Sequence, residues 1–242
     1  MNAILSRPNR KSERPLGHQA SGYQPRSSSG FRHASVPPLL LALVACLALT
    51  GCFGFLKPAK ATARKFVLTP APAPAGTTDP KGGPALGIGP VKIPAYLFDT
   101  SFAVRQGPNE VGYLALVLWA ERLDTGLQRV LAANLSTLLP TDRIRLSAWR
   151  SDDVSAEIQV TVGQFDVDDA GRGALMAWWR ILSPGGERTL KSGETRLMRE
   201  GPAPETDPAG AVATLNELVA EFSRQLAQTV RETAAASGGG RF

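Results

Sequence analysis

Two thiols, Cys46 and Cys52, and two imidazoles, His18 and His33, carry the most reactive chemistry in the chain, and all four lie within its first 52 residues. Beyond Cys52 there is no thiolate nucleophile and no imidazole base, so Cys–His and Ser–His pairs cannot be assembled there. The same count excludes His- or Cys-ligated metal sites and any disulfide from the downstream chain. Carboxylates remain as candidates. Asp152-Asp153 reads as a turn between strands, not as an acid–base pair. Asp166-Val167-Asp168-Asp169-Ala170-Gly171 opens like a calcium loop, but Ala170 stands where a third oxygen ligand is needed and Ala177 where the closing Glu belongs. A solvated hairpin turn is the better reading. Gly87-Ile88-Gly89-Pro90 has no helix start behind it to present amides to a phosphate, and it reads as a β-bend. Gly-x-Ser-x-Gly, Ser-x-x-Lys and P-loop motifs are all missing. The expectation is a protein that is not an enzyme and needs neither cofactor nor metal.

The chemistry that remains is that of Cys52. Residues 1–51 carry six cations against Glu13 alone, a charge of +5, which leaves +1 of the total +6 for the rest of the chain. An apolar run over residues 36–52 follows, too short for the roughly 20 residues that span a bilayer core. A basic segment, a short apolar stretch and small residues at its end are the marks of a secretory signal. Its last residues, Leu49-Thr50-Gly51-Cys52, resemble the bacterial lipobox, with cleavage between Gly51 and Cys52 and lipidation at Cys52. Only sulfur can take the thioether-linked diacylglycerol of that modification, and cleavage then frees an amine for a third acyl chain. Three chains, at about 0.8 kcal/mol per buried CH₂, exceed the two signals that stable anchoring needs. Phe53 follows the cysteine where lipoproteins kept in the inner membrane commonly carry Asp, so this resemblance favours the periplasmic face of the outer membrane. Trp149, Trp178 and Trp179 with Arg150 and Arg180 could stack on bases, but a charge of +1 suits polyanions poorly, and nucleic acid is not an expected partner.

The elements behind the anchor follow from pattern. Residues 52–85 are the anchor and a Pro-rich tether, interrupted by a β-like island at Lys65-Phe66-Val67-Leu68-Thr69. Residues 86–236 read as one domain and residues 237–242 as a Gly-rich disordered tail. Strands are expected at residues 88–93, punctuated by Pro90, and at 102–105; the run at 111–118 is continuous enough to be covered on both faces. Asp124 is the expected N-cap of a helix with a stripe of Leu127, Leu131, Leu135 and Leu138, stopped by Pro140. Residues 143–149 alternate as a strand, so strand, helix and strand make one βαβ unit. A three-strand meander over residues 158–199 follows, with a bulge at Gly163-Gln164 and a polar edge strand last. Asp207 then caps a helix begun by Pro208, whose stripe is Val212, Leu215, Leu218, Phe222, Leu226 and Val230. The fold class is therefore α+β, a single domain whose mixed, largely antiparallel sheet contains one βαβ unit and carries two main helices.

Three segments carry a family resemblance: Leu86-Gly87-Ile88-Gly89-Pro90-Val91-Lys92-Ile93-Pro94-Ala95-Tyr96-Leu97; the run from Trp119-Ala120-Glu121-Arg122-Leu123-Asp124 through Gly126, Leu127, Gln128 and Leu131 to Leu135; and Gln164-Phe165-Asp166. With the lipobox and the last helix they resemble the ABC-type transport auxiliary lipoproteins of the PqiC family. Arg122 departs from the pattern, standing where proline is common. The resemblance implies an outer-membrane lipoprotein, facing the periplasm, that works with an MCE-domain protein of an intermembrane lipid transport system and maintains membrane integrity. It also implies a homo-oligomeric ring, and no catalytic residues to carry over. The rival reading is a periplasmic lipoprotein that carries a lipid or small apolar ligand in its own cavity. Mass spectrometry of the protein from its native envelope is expected to find an acylated Cys52 as the first residue; an uncleaved chain with a free Cys52 thiol contradicts the reading.

Overall fold

The computed structural model describes residues 62–73 and 82–236. In chain order its elements are β1 (Arg64–Phe66), β2 (Leu86–Ile88), a 3₁₀ turn (Ala95–Leu97), β3 (Ser101–Gly107), β4 (Glu110–Trp119), α1 (Leu123–Leu138), β5 (Ile144–Arg145), a second 3₁₀ turn (Ser151–Asp153), β6 (Ala156–Asp168), β7 (Gly173–Leu182), β8 (Thr189–Arg199) and α2 (Pro208–Ala236). The signal, Gly51, Cys52, the start of the tether and the tail lie outside the described residues.

The eight strands form one mixed sheet. Ile158, Val160 and Val162 alternate with Gln159 and Thr161, which sends the apolar set to one face and makes β6 the longest strand, 13 residues. One edge of β6 pairs antiparallel with β7 along nearly its full length, and β7 pairs in turn with β8. The other edge is shared: β2 runs parallel to its first three residues, Ala156–Ile158, and β3 runs parallel to its end at Val167 and Asp168. Outside these, β3 pairs with β4, β4 with β1, and β2 with β5. Between Val162 and Gln164 the register with β7 shifts by one residue, the bulge that brings Phe165 and Val167 back to the apolar side. This is an α+β fold.

Helix α2 opens as its sequence dictates: the Asp207 carboxylate accepts the backbone N–H of Gly210 at 2.9 Å, and Pro208 occupies the first position. Its stripe of Val212, Leu215, Leu218, Phe222, Leu226 and Val230 is buried against α1 and the β6–β8 meander. Leu127, Val130, Leu131 and Leu135 of α1 join the same core, with Leu138 half-buried at its edge. Among the described residues no helix is long and apolar enough to cross a membrane.

Five expectations change. The strand expected at 88–93 is Leu86–Ile88, with only an isolated bridge from Lys92 to Thr161 beyond Pro90. Asp124 is not the N-cap: α1 starts at Leu123 after Arg122, whose φ of −60° and ψ of 136° are angles that proline would adopt. Asp124 sits in the first turn, accepts the N–H of Thr125 and pairs with Arg122 at 2.7 Å, which holds its carboxyl below the usual range. The strand expected at 143–149 is only Ile144–Arg145, because the Leu146 carbonyl bonds to the Gln128 side-chain amide at 3.0 Å and Ala148 takes φ 49°. Strand, helix and strand do follow in order, yet β4 runs antiparallel to β3 while β3, β6, β2 and β5 all run alike, so β4–α1–β5 is no parallel crossover. Finally, β4 is not covered on both faces. Its pairing with β3 jumps from Leu118 to Tyr113, Leu116 takes φ 61° in the resulting bulge, and Tyr113 and Leu116 are about half exposed.

Core position therefore decides the cost of truncation. Leu226→Ala is expected to lose about 2–5 kcal/mol in urea unfolding, while Met198→Ala, at a residue 68% exposed, is expected to change stability by less than about 0.5 kcal/mol. Equal losses at the two positions would contradict this packing.

Candidate functional site

Where β3 meets the end of β6 only two residue pairs join the strands, Val104 with Val167 and Arg105 with Asp166's neighbour Asp168. A polar cluster reinforces this short seam. Asp166 is 2% exposed on the sheet face opposite the helices, and Arg105 reaches it from β3 with Nη2 at 2.7 Å and Nε at 3.2 Å. The Tyr96 hydroxyl, from the first 3₁₀ turn, donates to the same carboxylate at 2.8 Å, and the Gln164 amide donates to it at 2.8 Å. One carboxylate thus collects three side chains from three segments, as a buried charge must. Burial and the adjacent Asp166 hold the Tyr96 hydroxyl protonated far above its ordinary range. The hydrogen bond to Asp166 likewise raises the already high pKa of Arg105. Tyr96 and Arg105 therefore keep their protons near neutral pH, and the cluster fixes geometry.

Around it the surface is aromatic. Tyr113 donates its hydroxyl to the Tyr96 carbonyl at 3.1 Å, and the Arg122 guanidinium lies 5.6 Å from the Phe98 ring centroid. Phe98, Tyr113 and Leu116 are 50%, 50% and 47% exposed. Aromatic rings beside an arginine are the composition of protein-binding surfaces.

A second polar set fixes how the tether joins the fold. The β-like island is β1, parallel to β4, and just beyond it Leu68 is fully buried. Arg129 of α1 donates to the Leu68 carbonyl at 2.9 Å, Asn216 of α2 accepts the Thr69 N–H at 3.0 Å, and Asn134 of α1 accepts the Ala71 N–H at 2.9 Å. The Asn134 amide also donates to Ser223 at 3.0 Å, so this buried asparagine ties α1, α2 and the tether together. These residues escape sequence reasoning except for one signal: Asn134 is a polar residue set among the apolar positions of α1.

The other sequence candidates stay apart. Asp153 caps the second 3₁₀ turn by accepting the Arg150 N–H at 2.9 Å, and Asp168 accepts the Arg172 N–H in the β6–β7 hairpin. Among the described residues no group of His, Cys, Asp or Glu is placed to hold a metal ion. Gly87 is tight because the Trp149 ring lies across it, and a Cβ there would come within 2.6 Å of that ring. Trp179 is half-buried and bonds to Thr195, whereas Trp178 is 44% exposed and bonds to Glu194. Gly51 and Cys52 lie outside the described residues.

Comparison with known proteins now defines the class. The family of ABC-type transport auxiliary lipoprotein components matches residues 66–227, and the chain belongs to it. An uncharacterised protein of known crystal structure aligns with TM-score 0.56 and 21% identity over 70% of this chain and 99% of its own. A Xanthomonas campestris protein of the DUF330 family aligns with TM-score 0.57 and 16% identity over 74% of this chain and 97% of its own. Both share the fold. A PelC dodecamer from Paraburkholderia phytofirmans, at TM-score 0.37 and 10% identity over 64% of this chain and 91% of its own, is too distant to bear on assembly here. No curated protein matches the chain.

Removing one partner from a buried ion pair leaves an uncompensated charge. Arg105→Met is therefore expected to cost about 3–5 kcal/mol in urea unfolding, and Arg105→Met with Asp166→Leu is expected to recover most of it. A loss below about 1 kcal/mol for the single change would show that water already screens Asp166.

Proposed function

We propose that this lipoprotein is anchored by Cys52 in the periplasmic face of the outer membrane and serves as the auxiliary docking component of an MCE-type intermembrane lipid transport system. It performs no catalysis and acts as a homo-oligomeric ring that receives the end of an MCE-domain protein, which maintains membrane integrity. The observation that carries the reading is the match of residues 66–227 to the auxiliary lipoprotein family. The physical features agree with a part that holds position. Asn134, Asn216 and Arg129 clamp the tether to both helices, so a pull on the anchor is delivered to the core. Exposed Phe98, Tyr113 and Leu116 give a partner apolar surface to bury.

The space between helices and sheet is filled by Leu127, Leu131, Leu135, Leu215, Phe222 and Leu226, all at most 5% exposed. That packing favours docking over transport of cargo inside this domain. Affinity isolation of the tagged protein from its native envelope in mild detergent is expected to recover an MCE-domain protein, with a light-scattering mass several times that of one chain. Recovery of a monomer with bound phospholipid and no MCE-domain protein would favour the carrier.

A further inference from the structure

At the end of the molecule away from the Asp166 cluster's strand seam, a cleft of about 880 Å³ opens between the 82–85 segment, the C-terminal end of α1, the second 3₁₀ turn and the last turns of α2. Its size is that of small-molecule sites, about 300–1,000 Å³. Leu138, Leu139, Val154 and Val230 give it an apolar floor, and Arg143, Arg145 and Arg231 line it.

Among the described residues none of these three guanidiniums takes part in an ion pair. Two are held in place by backbone carbonyls. Arg143 donates to the Gly83 carbonyl, and Arg231 donates to the Leu138 carbonyl at 3.0 Å and to Gln228 at 3.2 Å. The wall they lean on is itself braced, since Gly83 donates to the Pro140 carbonyl at 3.1 Å and Thr141 to the Pro84 carbonyl at 2.9 Å. Each guanidinium has five N–H donors, so Arg143 and Arg231 keep most of theirs unspent. The Arg145 side chain has no hydrogen-bond or ion-pair partner among the described residues. Forks of this kind match the oxygens of a phosphate. The facing wall carries Asp152 and Asp153, with Asp152 only 3.6 Å from Arg150 and largely exposed.

We propose that this cleft binds the headgroup of a phospholipid, with Arg143, Arg145 and Arg231 on the phosphate, Asp152 facing the ammonium of an ethanolamine, and the apolar floor under the first carbons of the acyl chains. The inference stands on the cleft and not on the MCE partnership, so its failure leaves the isolation experiment untouched.

The test is calorimetric titration of the full lipidated chain, in dodecyl maltoside micelles, with dihexanoyl phosphatidylethanolamine and separately with inorganic phosphate. Saturable lipid binding, weakened about tenfold by Arg145→Gln with no change in melting temperature, is expected, and inorganic phosphate should bind more weakly. Arg145→Gln is the informative change because it breaks no side-chain hydrogen bond or ion pair among the described residues. Absence of saturable lipid binding, binding that ignores Arg145→Gln, or inorganic phosphate binding as tightly as the lipid would each overturn the proposal.

Discussion

Strand β6 is the constraint on which the remaining architecture depends. One edge is committed to β7 over ten residue pairs, while the other is divided between β2 and β3. A strand so divided must hold two short parallel seams in register, and parallel seams of two or three residues carry little pairing energy of their own. Asp166 supplies the missing constraint at the β3 end. Its carboxylate can stay buried only while Arg105, Tyr96 and Gln164 all reach it, so the ion pair specifies one register more than it adds stability. Placing β3 also places β4, and through β4 both β1 and the start of α1.

That chain of dependence leads from the core to the first strand. β1 is the edge strand beyond β4, and the residues after it are bonded to both helices through Asn134 and Asn216. Residues 68–71 are therefore held between α1, α2 and the sheet, while β1 before them lies at the sheet's edge. Force on this segment is resisted by the buried Asn134 amide, by the partly exposed Asn216 and by Leu68 in the core, not by an end that frays.

Much of the fold was legible because hydrophobic period and punctuation agreed. The bulge at Gly163 was visible as a slip in alternation, the α2 cap as Asp207 before Pro208, and both helix stripes as spacings of three and four. What could not be read were interactions between distant residues. Nothing local says that Gln128 will occupy the Leu146 carbonyl and cut β5 to two residues, or that the apolar run of β4 will bow outward at Leu116. The polar cluster was half visible: Gln164-Phe165-Asp166 stood out as a family-like segment, but its partners Arg105 and Tyr96 lie about 60 to 70 positions earlier. The tether clamp was hidden for the same reason, since pattern marks residues 65–69 as a β-like island in a linker while Asn216 and Asn134, far along the chain, bond to Thr69 and Ala71.

The most direct measurement is outer-membrane permeability to a hydrophobic dye in cells that export this chain with Cys52→Ser and an ordinary signal peptide, so that a folded domain reaches the periplasm without its lipid. A docking part is useful only where it is held, so permeability is predicted to rise to the level of cells lacking the protein altogether. A normal barrier sustained by the unanchored domain would contradict docking and favour the carrier.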